Sequence, residues 1–472
     1  MFPSATVIMN LPPTLLRSIS PVLGLCALLF TPLAAQDYHV DAAVIKSGDG
    51  KSWAKAFKTL QEALKVAKSG HEIWVARGIY SGGFDVPPGV RLRGNFRSGD
   101  TRPTQRLPGA SGTLLDGGGK TRVVRAGTGA LLESLQIVNG KSGAPGGGGL
   151  LCEGTAPVVR DCIFRGNHTS GRGSALYAVN NSKGVEANPL IENCYFVGNG
   201  ILGPGGIHTI DVCKSKGTFR NIGVHLNSDN GLHFHTASTV VIRNSYFVAN
   251  TGRGICHIDK ASKSKIENCL FHKNKVSLMH YQGKELRTQA AVNALAEAKN
   301  NIAADPKLQL MSSSIPPLFA SSSPLVDAGQ DIASLPATDL EGNGRLLDGN
   351  LDGRLGTDIG PVELSATHIE IAGNPKPGAR LVVTLASQQT RLTTVMAIGA
   401  GPSGKGIFFA PWGLFRIDTA RFLLLTPWGP TGSMTPLQVP ISLPRGTSVI
   451  FQNLALAKNS GNFSNLYDLR IR

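Results

Sequence analysis

Two imidazoles and a thiol recur at nearly even spacing. His208, His233 and Cys256 lie 25 and 23 residues apart, each two residues after a glycine (Gly206, Gly231, Gly254). His235 follows His233 by two positions, His257 adjoins Cys256, and Asp211, Asp259 and Lys260 lie a few residues beyond. Brought into register on successive strands about 5 Å apart, such side chains could ligate a transition metal or act as an acid/base pair. Elimination from a uronate needs three groups: a cation against the carboxylate, a base for the acidified proton, and a donor for the leaving oxygen. His208 or His233 as base, with Lys260 or a metal as cation, meets that outline. The candidate catalytic set is therefore His208, His233, His235, His257 and Lys260. The same alignment also arises when a repeat merely places polar residues on a solvated ladder, and spacing alone leaves both readings open.

A second candidate site lies downstream. Asp348, Asn350 and Asp352, followed by Gly353, match the first half of a calcium loop; its twelfth position is Ile359, with Asp358 next to it as a substitute ligand. An Asx/Gly turn cluster has the same composition. The chain contains no nucleophile elbow, Walker loop or HExxH motif.

The elements that must position the histidines come from a repeat. RDCIFRGN ending at Asn167 returns as ENCYFVGN at Asn199, RNIGVHLN at Asn227, RNSYFVAN at Asn250 and ENCLFHKN at Asn274. Aligned on the third residue, the copies fall at Cys162, Cys194, Ile222, Ser245 and Cys269, separated by 32, 28, 23 and 24 residues. A weaker copy puts Ser134 another 28 residues upstream. Repeats of this length signal a solenoid. Apolar residues three positions earlier (Val159, Ile191, Phe219, Ile242, Ile266) and a further short apolar run upstream give each unit three strands, so the solenoid is a parallel β-helix. The small third residue suits an internal ladder beside Phe164, Phe196, Phe247 and Phe271. The closing Asn suits a turn, with left-handed backbone and hydrogen bonds to the coils above and below.

The bulk numbers agree. The 472 residues exceed one usual core, and 57 Gly with 28 Pro suit a turn-rich β protein. An apolar run at 22–35, preceded by Arg17 and ending in LeuAlaAla before Gln36, reads as a secretory signal over residues 1–35. Beyond it, 46 basic residues stand against 31 acidic ones, and no run reaches membrane-spanning length. Such a charge suits an acidic polysaccharide or cell-surface glycan as partner; no nucleic-acid motif is present, and a monomer is expected. Cys152, Cys162, Cys194, Cys213, Cys256 and Cys269 follow the signal. Export permits disulfides, but the third-residue position also accepts Ile and Ser, so buried free thiols are expected for most.

Ahead of the repeat, Phe57, Leu60, Leu64 and Ala67 share one face of a short helix, read as a cap on the open end of the solenoid. The run DGKSWAKAFKTLQEALKVAKSGHEIWVARGIY (49–80) resembles the opening of secreted bacterial right-handed β-helix proteins of the pectin-lyase-like group. ADPKLQL, SSSPLVDAGQD and DLEGNGRLLDGNLDGRLGTDIGPVEL (339–364) resemble the terminus known as the choice-of-anchor Q domain. Together they imply an all-β, right-handed parallel β-helix over residues 36–364, and a placement at the cell surface more than a reaction. The Asp-pair and Gly-His-Gly signatures of polygalacturonase-like β-helices are absent. From 365 to 472, short apolar runs between Pro/Gly turns read as a small β-sandwich-like domain.

Overall fold

The computed structural model describes residues 37–364, apart from 108, 110–111, 201–207, 310–317, 321, 333, 348 and 351–353, together with the backbone of strands between Thr367 and Arg470. Each coil supplies three short strands. Around residue 240 these are Leu232–His235, Thr239–Arg243 and Tyr246–Val248. One coil on, Ile255–His257, Lys263–Glu267 and Leu270–His272 pair with them in parallel. Continued along the chain, the pairing builds a first sheet of nine strands, a second of ten and a third of eight. Lys284–Leu286 turns back antiparallel and ends the first sheet. The chain is an all-β parallel β-helix.

Alternation along each strand fills the interior. Leu132, Val159, Ile191, Phe219, Ile242 and Ile266 form the inward column of the second sheet, all fully buried. In the third sheet Phe164 stacks on Phe196 at 4.6 Å and Phe247 on Phe271 at 5.6 Å. The column Cys162, Cys194, Ile222, Ser245 and Cys269 forms as expected between these sheets, with every member buried. Its earlier member is Leu135, not Ser134, because Ile163 pairs with Gln136. Ser134 instead takes the left-handed turn position that Asp161, Asn193, Asn221, Asn244 and Asn268 occupy above it, with φ between 48° and 57°. Asp and Asn tolerate that backbone because their short side chains bond locally.

The octad's closing asparagine works differently from the sequence reading. The left-handed residue is the one before it: Gly166, Gly198, Leu226, Ala249 or Lys273. That turn points the asparagine inward. Asn167, Asn199, Asn227, Asn250 and Asn274 then form a continuous ladder: from Asn199 on, each Oδ1 accepts the backbone N–H and the Nδ2–H of the asparagine one coil earlier, and Asn167 Oδ1 accepts the Gly140 N–H. Each Nδ2 also donates to a strand carbonyl, from Ile137 to Phe247. The bend between the third and first sheets would otherwise bury unpaired backbone groups, and the ladder satisfies them.

The helix Leu60–Val66 buries Leu60, Ala63 and Leu64 in the solenoid core, with a Thr59/Glu62 capping box at its start. A shorter helix, Gln289–Asn293, lies near the other end, its first turn capped by Thr288. Among the described residues all six cysteines are free, five of them buried and Cys213 half-buried. No described helix is long and apolar enough to cross a membrane. Between Thr367 and Arg470 the strands pair only antiparallel, in contrast to the solenoid. The candidate leader lies outside the described residues.

The segment after the last coil folds back over the outside of the third sheet. Phe319, Leu325, Val326, Leu340, Ile359 and Val362 cover Ile163, Tyr195, Val197, Tyr246, Val248 and Leu270. At Gly360 (φ 123°) a Cβ would meet the Tyr246 ring at 2.7 Å, so only glycine fits this approach. The left-handed asparagines anchor this strap: Asn193 donates to Thr338 O, Asn221 to Asp358 O, Asn244 to Gln330 O and Asn268 to Ala328 O.

Asp161 lies buried under the strap, hydrogen-bonded by Asn193 at 3.0 Å. Burial lifts its carboxyl to about 7, against the opposing pull of Arg106. In the unfolded chain the group titrates near its ordinary value of 3.8. Between those two values the folded state holds the extra proton, so rising pH removes stability, at about 1.4 kcal/mol per unit of pKa difference. Asp161→Asn suits the left-handed backbone and carries no charge. Its melting temperature should exceed that of the parent at pH 8 and match it near pH 4; a constant offset at all pH values would remove Asp161 as the source.

Candidate functional site

Two of the three outward faces are occupied by structural work. The third sheet lies under the strap. On the second sheet a column of outward residues runs Arg93, Glu133, Arg160, Glu192, Arg220, Arg243, Glu267, Lys299. Charges alternate along it except at Arg220–Arg243, and ion pairs join the coils: Arg93–Glu133 at 3.1 Å, Arg160–Glu192 at 3.0 Å, Arg243–Glu267 at 2.8 Å and Lys299–Glu267 at 3.2 Å. Arg220 closes on Glu192 from the other side.

The first sheet is different. Its inward residues Leu150, Leu176, Ile210, Leu232, Ile255 and Met279 fix the register. The outward column then reads Leu151, Tyr177, Asp211, His233, Cys256, His280. A second, two residues on, holds Val179, Cys213 and His235. Asp211 is fully buried, with Oδ2 3.2 Å from His233 Nδ1 and 3.5 Å from Arg172 Nη1. His235 Nε2 is 3.4 Å from Asp211 Oδ1 and 3.2 Å from Arg172. His208, from the segment before its strand, lays its ring 3.8 Å from that of His233. Its Nδ1 meets Asn230 Nδ2 at 3.0 Å and Asp229 at 3.5 Å. Beyond Cys256, Arg253 grips Glu285, which also accepts from Ser277 and pairs with His280.

The electrostatics follow from this packing. Burial alone would raise the Asp211 carboxyl, but hydrogen bonds with His233 and His235 hold it well below the usual carboxylate range. Burial pushes His233 down to about 4, with the neighbouring histidines adding to it and Asp211 opposing. For His235 burial is outweighed by Asp211 and Cys213, which lift it to about 9. The Cys213 thiol is lowered, first by His235, while the Cys256 thiol is pushed up to about 12 by burial. Glu285 is held at about 2, chiefly by Arg253. One small patch thus holds imidazoles of opposite tendency around a single carboxylate.

The structure brings His208, His233 and His235 together, but not in the expected column. Asp211, not His208, stands opposite His233, since the inward leucine and isoleucine set the register and the distance from the glycine varies between coils. His257 faces inward: it pairs with Phe234, its ring lies tilted against that of Phe234 at 4.5 Å, and its Nε2 lies 2.9 Å from Asp259 O. Lys260 lies on an exposed turn. The Asp259 carboxylate is occupied by the backbone N–H groups of Thr236 and Ser262. Sequence reasoning missed Arg172, Asp229 and Cys213. Alternation of the inward residues would have exposed the Asp211–His233 and Cys213–His235 neighbours; Arg172 and Asp229, on loops, carried no signal.

At the candidate calcium loop, Asp348 and Asp352 lie outside the described residues. The Asp358 carboxylate accepts from the backbone of Asp327 and Leu364 at 2.7 and 2.6 Å, and burial raises it well above its usual range.

Fold and site together define a parallel β-helix with one chemically furnished face. The family described as right handed beta helix region matches residues 154–301. Among solved structures, pectate lyase Pel9A is similar at 14% identity, covering 70% of this chain and 96% of that one with a TM-score of 0.34. A tailspike protein gp49 from Acinetobacter baumannii bacteriophage Fri1, a capsular polysaccharide depolymerase, is similar at 11% identity, covering 93% and 88% with a TM-score of 0.23. No curated protein matches. At these scores the site must be read from its own residues.

Proposed function

We propose that the protein is an exported or cell-surface β-helix that holds acidic polysaccharide along the outward face of its first sheet. The observation that carries this reading is the division of labour among the faces: ion pairs fill one, the strap covers another, and only the first gathers Arg172, His208, His233 and His235 around a carboxylate. The chain's basic excess supports an anionic polymer, and stacked coils offer a repeating surface to a repeating ligand. Arg172, half-exposed at the rim, is the side chain placed to meet an incoming carboxylate or sulfate.

Binding to polygalacturonate and to a sulfated glycan should weaken at least about tenfold between low and high salt. Arg172→Glu should weaken it by a similar factor at low salt. Salt-independent binding, or equal affinity for a neutral glucan, would sink the proposal.

A second reading, elimination from a uronate, rests on the Asp211–His233 hydrogen bond. With Nδ1 turned to Asp211, the other ring nitrogen of His233 is left to accept a proton. Its test is the ultraviolet absorbance of an unsaturated product over a panel of polyuronates, with His208→Ala and His233→Ala alongside. Turnover surviving in both variants removes this site; no turnover on any polymer leaves binding as the function.

A further inference from the structure

The same patch has a property that neither polymer binding nor elimination uses. His208, Asp211 and His233 each offer a ligand atom, and those atoms all lie within 4.8 Å of one another. The three residues come from two coils and one flanking segment, so the fold itself gathers them. All three are at least nine-tenths buried. Asp211 Oδ1 is buried, and its contact with His235 Nε2 is long, at 3.4 Å. A buried carboxylate oxygen so loosely held is costly in a folded protein, and a cation is one way to satisfy it.

We propose that His208, Asp211 and His233 form a binding site for one divalent transition ion of the zinc class. The donor set argues for that class. Two imidazoles and one carboxylate match Zn2+, whereas calcium and magnesium take oxygen ligands almost alone. Tetrahedral bonds of about 2.0–2.1 Å place neighbouring donors about 3.3 Å apart. His233 Nδ1 and Asp211 Oδ2 already stand 3.2 Å apart, so only His208 must close in. Its ring rests 3.8 Å from that of His233, and Asp229 Oδ2, 3.5 Å from its Nδ1, is the carboxylate placed to accept the Nδ1–H and orient the ring. Three protein ligands leave a fourth position open, with His235 and Cys213 at its edge. Arg172 and His235 both lie against Asp211 and must give way to the ion, and the half-exposed Arg172 side chain has water to move into.

The inference is independent of polymer binding, but it excludes a free base at His233, since a neutral imidazole that ligates through Nδ1 carries its proton on Nε2, the atom the base would use. Chelator therefore separates the two: a base reading predicts turnover untouched by metal removal.

The test is calorimetric titration of the chelator-treated full chain with Zn2+, with Ca2+ as the control ion and Co2+ as the optical probe. One equivalent of Zn2+ should bind with heat that depends on the ionisation enthalpy of the buffer, because the ligands shed protons. Co2+ should show the intense visible bands of a tetrahedral site, displaced by one equivalent of Zn2+. Asp211→Asn and His233→Gln, which keep size and hydrogen bonding, should each weaken Zn2+ at least about a hundredfold. His272→Gln, at a histidine on another face, should not change it. Parent protein without saturable one-equivalent Zn2+ binding, or with cobalt spectra of an octahedral aquo ion, overturns the proposal without recourse to any variant. Undiminished affinity in both Asp211→Asn and His233→Gln overturns it as well.

Discussion

Replacing Asn199 by alanine should lower the unfolding free energy by about 3–5 kcal/mol, among the largest losses any single substitution in this chain would produce. The reason lies in how many groups depend on one amide. Its Oδ1 accepts from the backbone N–H and the Nδ2–H of Asn167, at 3.1 and 3.0 Å. Its Nδ2 donates to Phe164 O at 2.9 Å and to Asn227 Oδ1 at 3.1 Å. Alanine takes from a buried N–H and a buried carbonyl their side-chain partner and strips one hydrogen bond from each neighbouring amide, each buried group left unsatisfied costing on the order of 1–3 kcal/mol. Neighbouring rungs polarise one another, so the loss should exceed the sum from the ladder's exposed end. Asn188→Ala, an exposed asparagine in the same coil, should stay within about 0.5 kcal/mol. Denaturant unfolding of both variants decides the matter. Similar small losses would mean that water replaces the missing amide and that the ladder is ornamental.

The ladder also shows what was legible in the sequence and what was not. The octads, their strand content and the small-residue column were readable because a stacked fold must repeat whatever it buries. The role of the octad's last residue was misread for a physical reason: Asn is at home both in a left-handed turn and in an amide stack. Leu226, Ala249 and Lys273 in the preceding left-handed position are residues that no propensity argument would place there, with φ of 54°, 53° and 50°. The ladder's hydrogen bonds outweigh their backbone preference.

The site was legible in part for a related reason. His208 and His233 sit at equal distances in sequence from their glycines, yet that distance does not mark register. Burial of Ile210 opposite Leu232 does, and it moves Asp211 into contact with His233. His257 was misplaced by the same rule, since a shift of one residue exchanges the inner and outer faces of a strand. Arg172 approaches from 39 residues before Asp211 along the chain, a distance that only the coiling of the solenoid closes.

The second large effect is expected at Glu192. Its carboxylate is wholly buried, held by Arg160 at 3.0 Å on one coil and by Arg220 on the other. Glu192→Ala leaves two guanidinium groups facing each other across the vacated rung, and breaking a buried pair in this way costs about 3–5 kcal/mol. The exposed pair Lys216–Glu186, at 2.9 Å, has similar geometry but lies in water. Glu186→Ala should therefore cost less than about 1 kcal/mol, and raising the salt concentration should shrink even that. The contrast separates burial from ion pairing as the source of the effect. Glu192→Gln is the finer probe: it keeps the side chain's volume and removes its charge. If Glu192→Gln unfolds as early as Glu192→Ala, charge is what the column needs. If instead Glu192→Gln is close to the parent, the column works by packing, and the alternation of sign from Arg93 to Arg220 has no energetic consequence. The first outcome is expected, because Arg160 and Arg220 would each face a neutral amide in a site with little water to screen them.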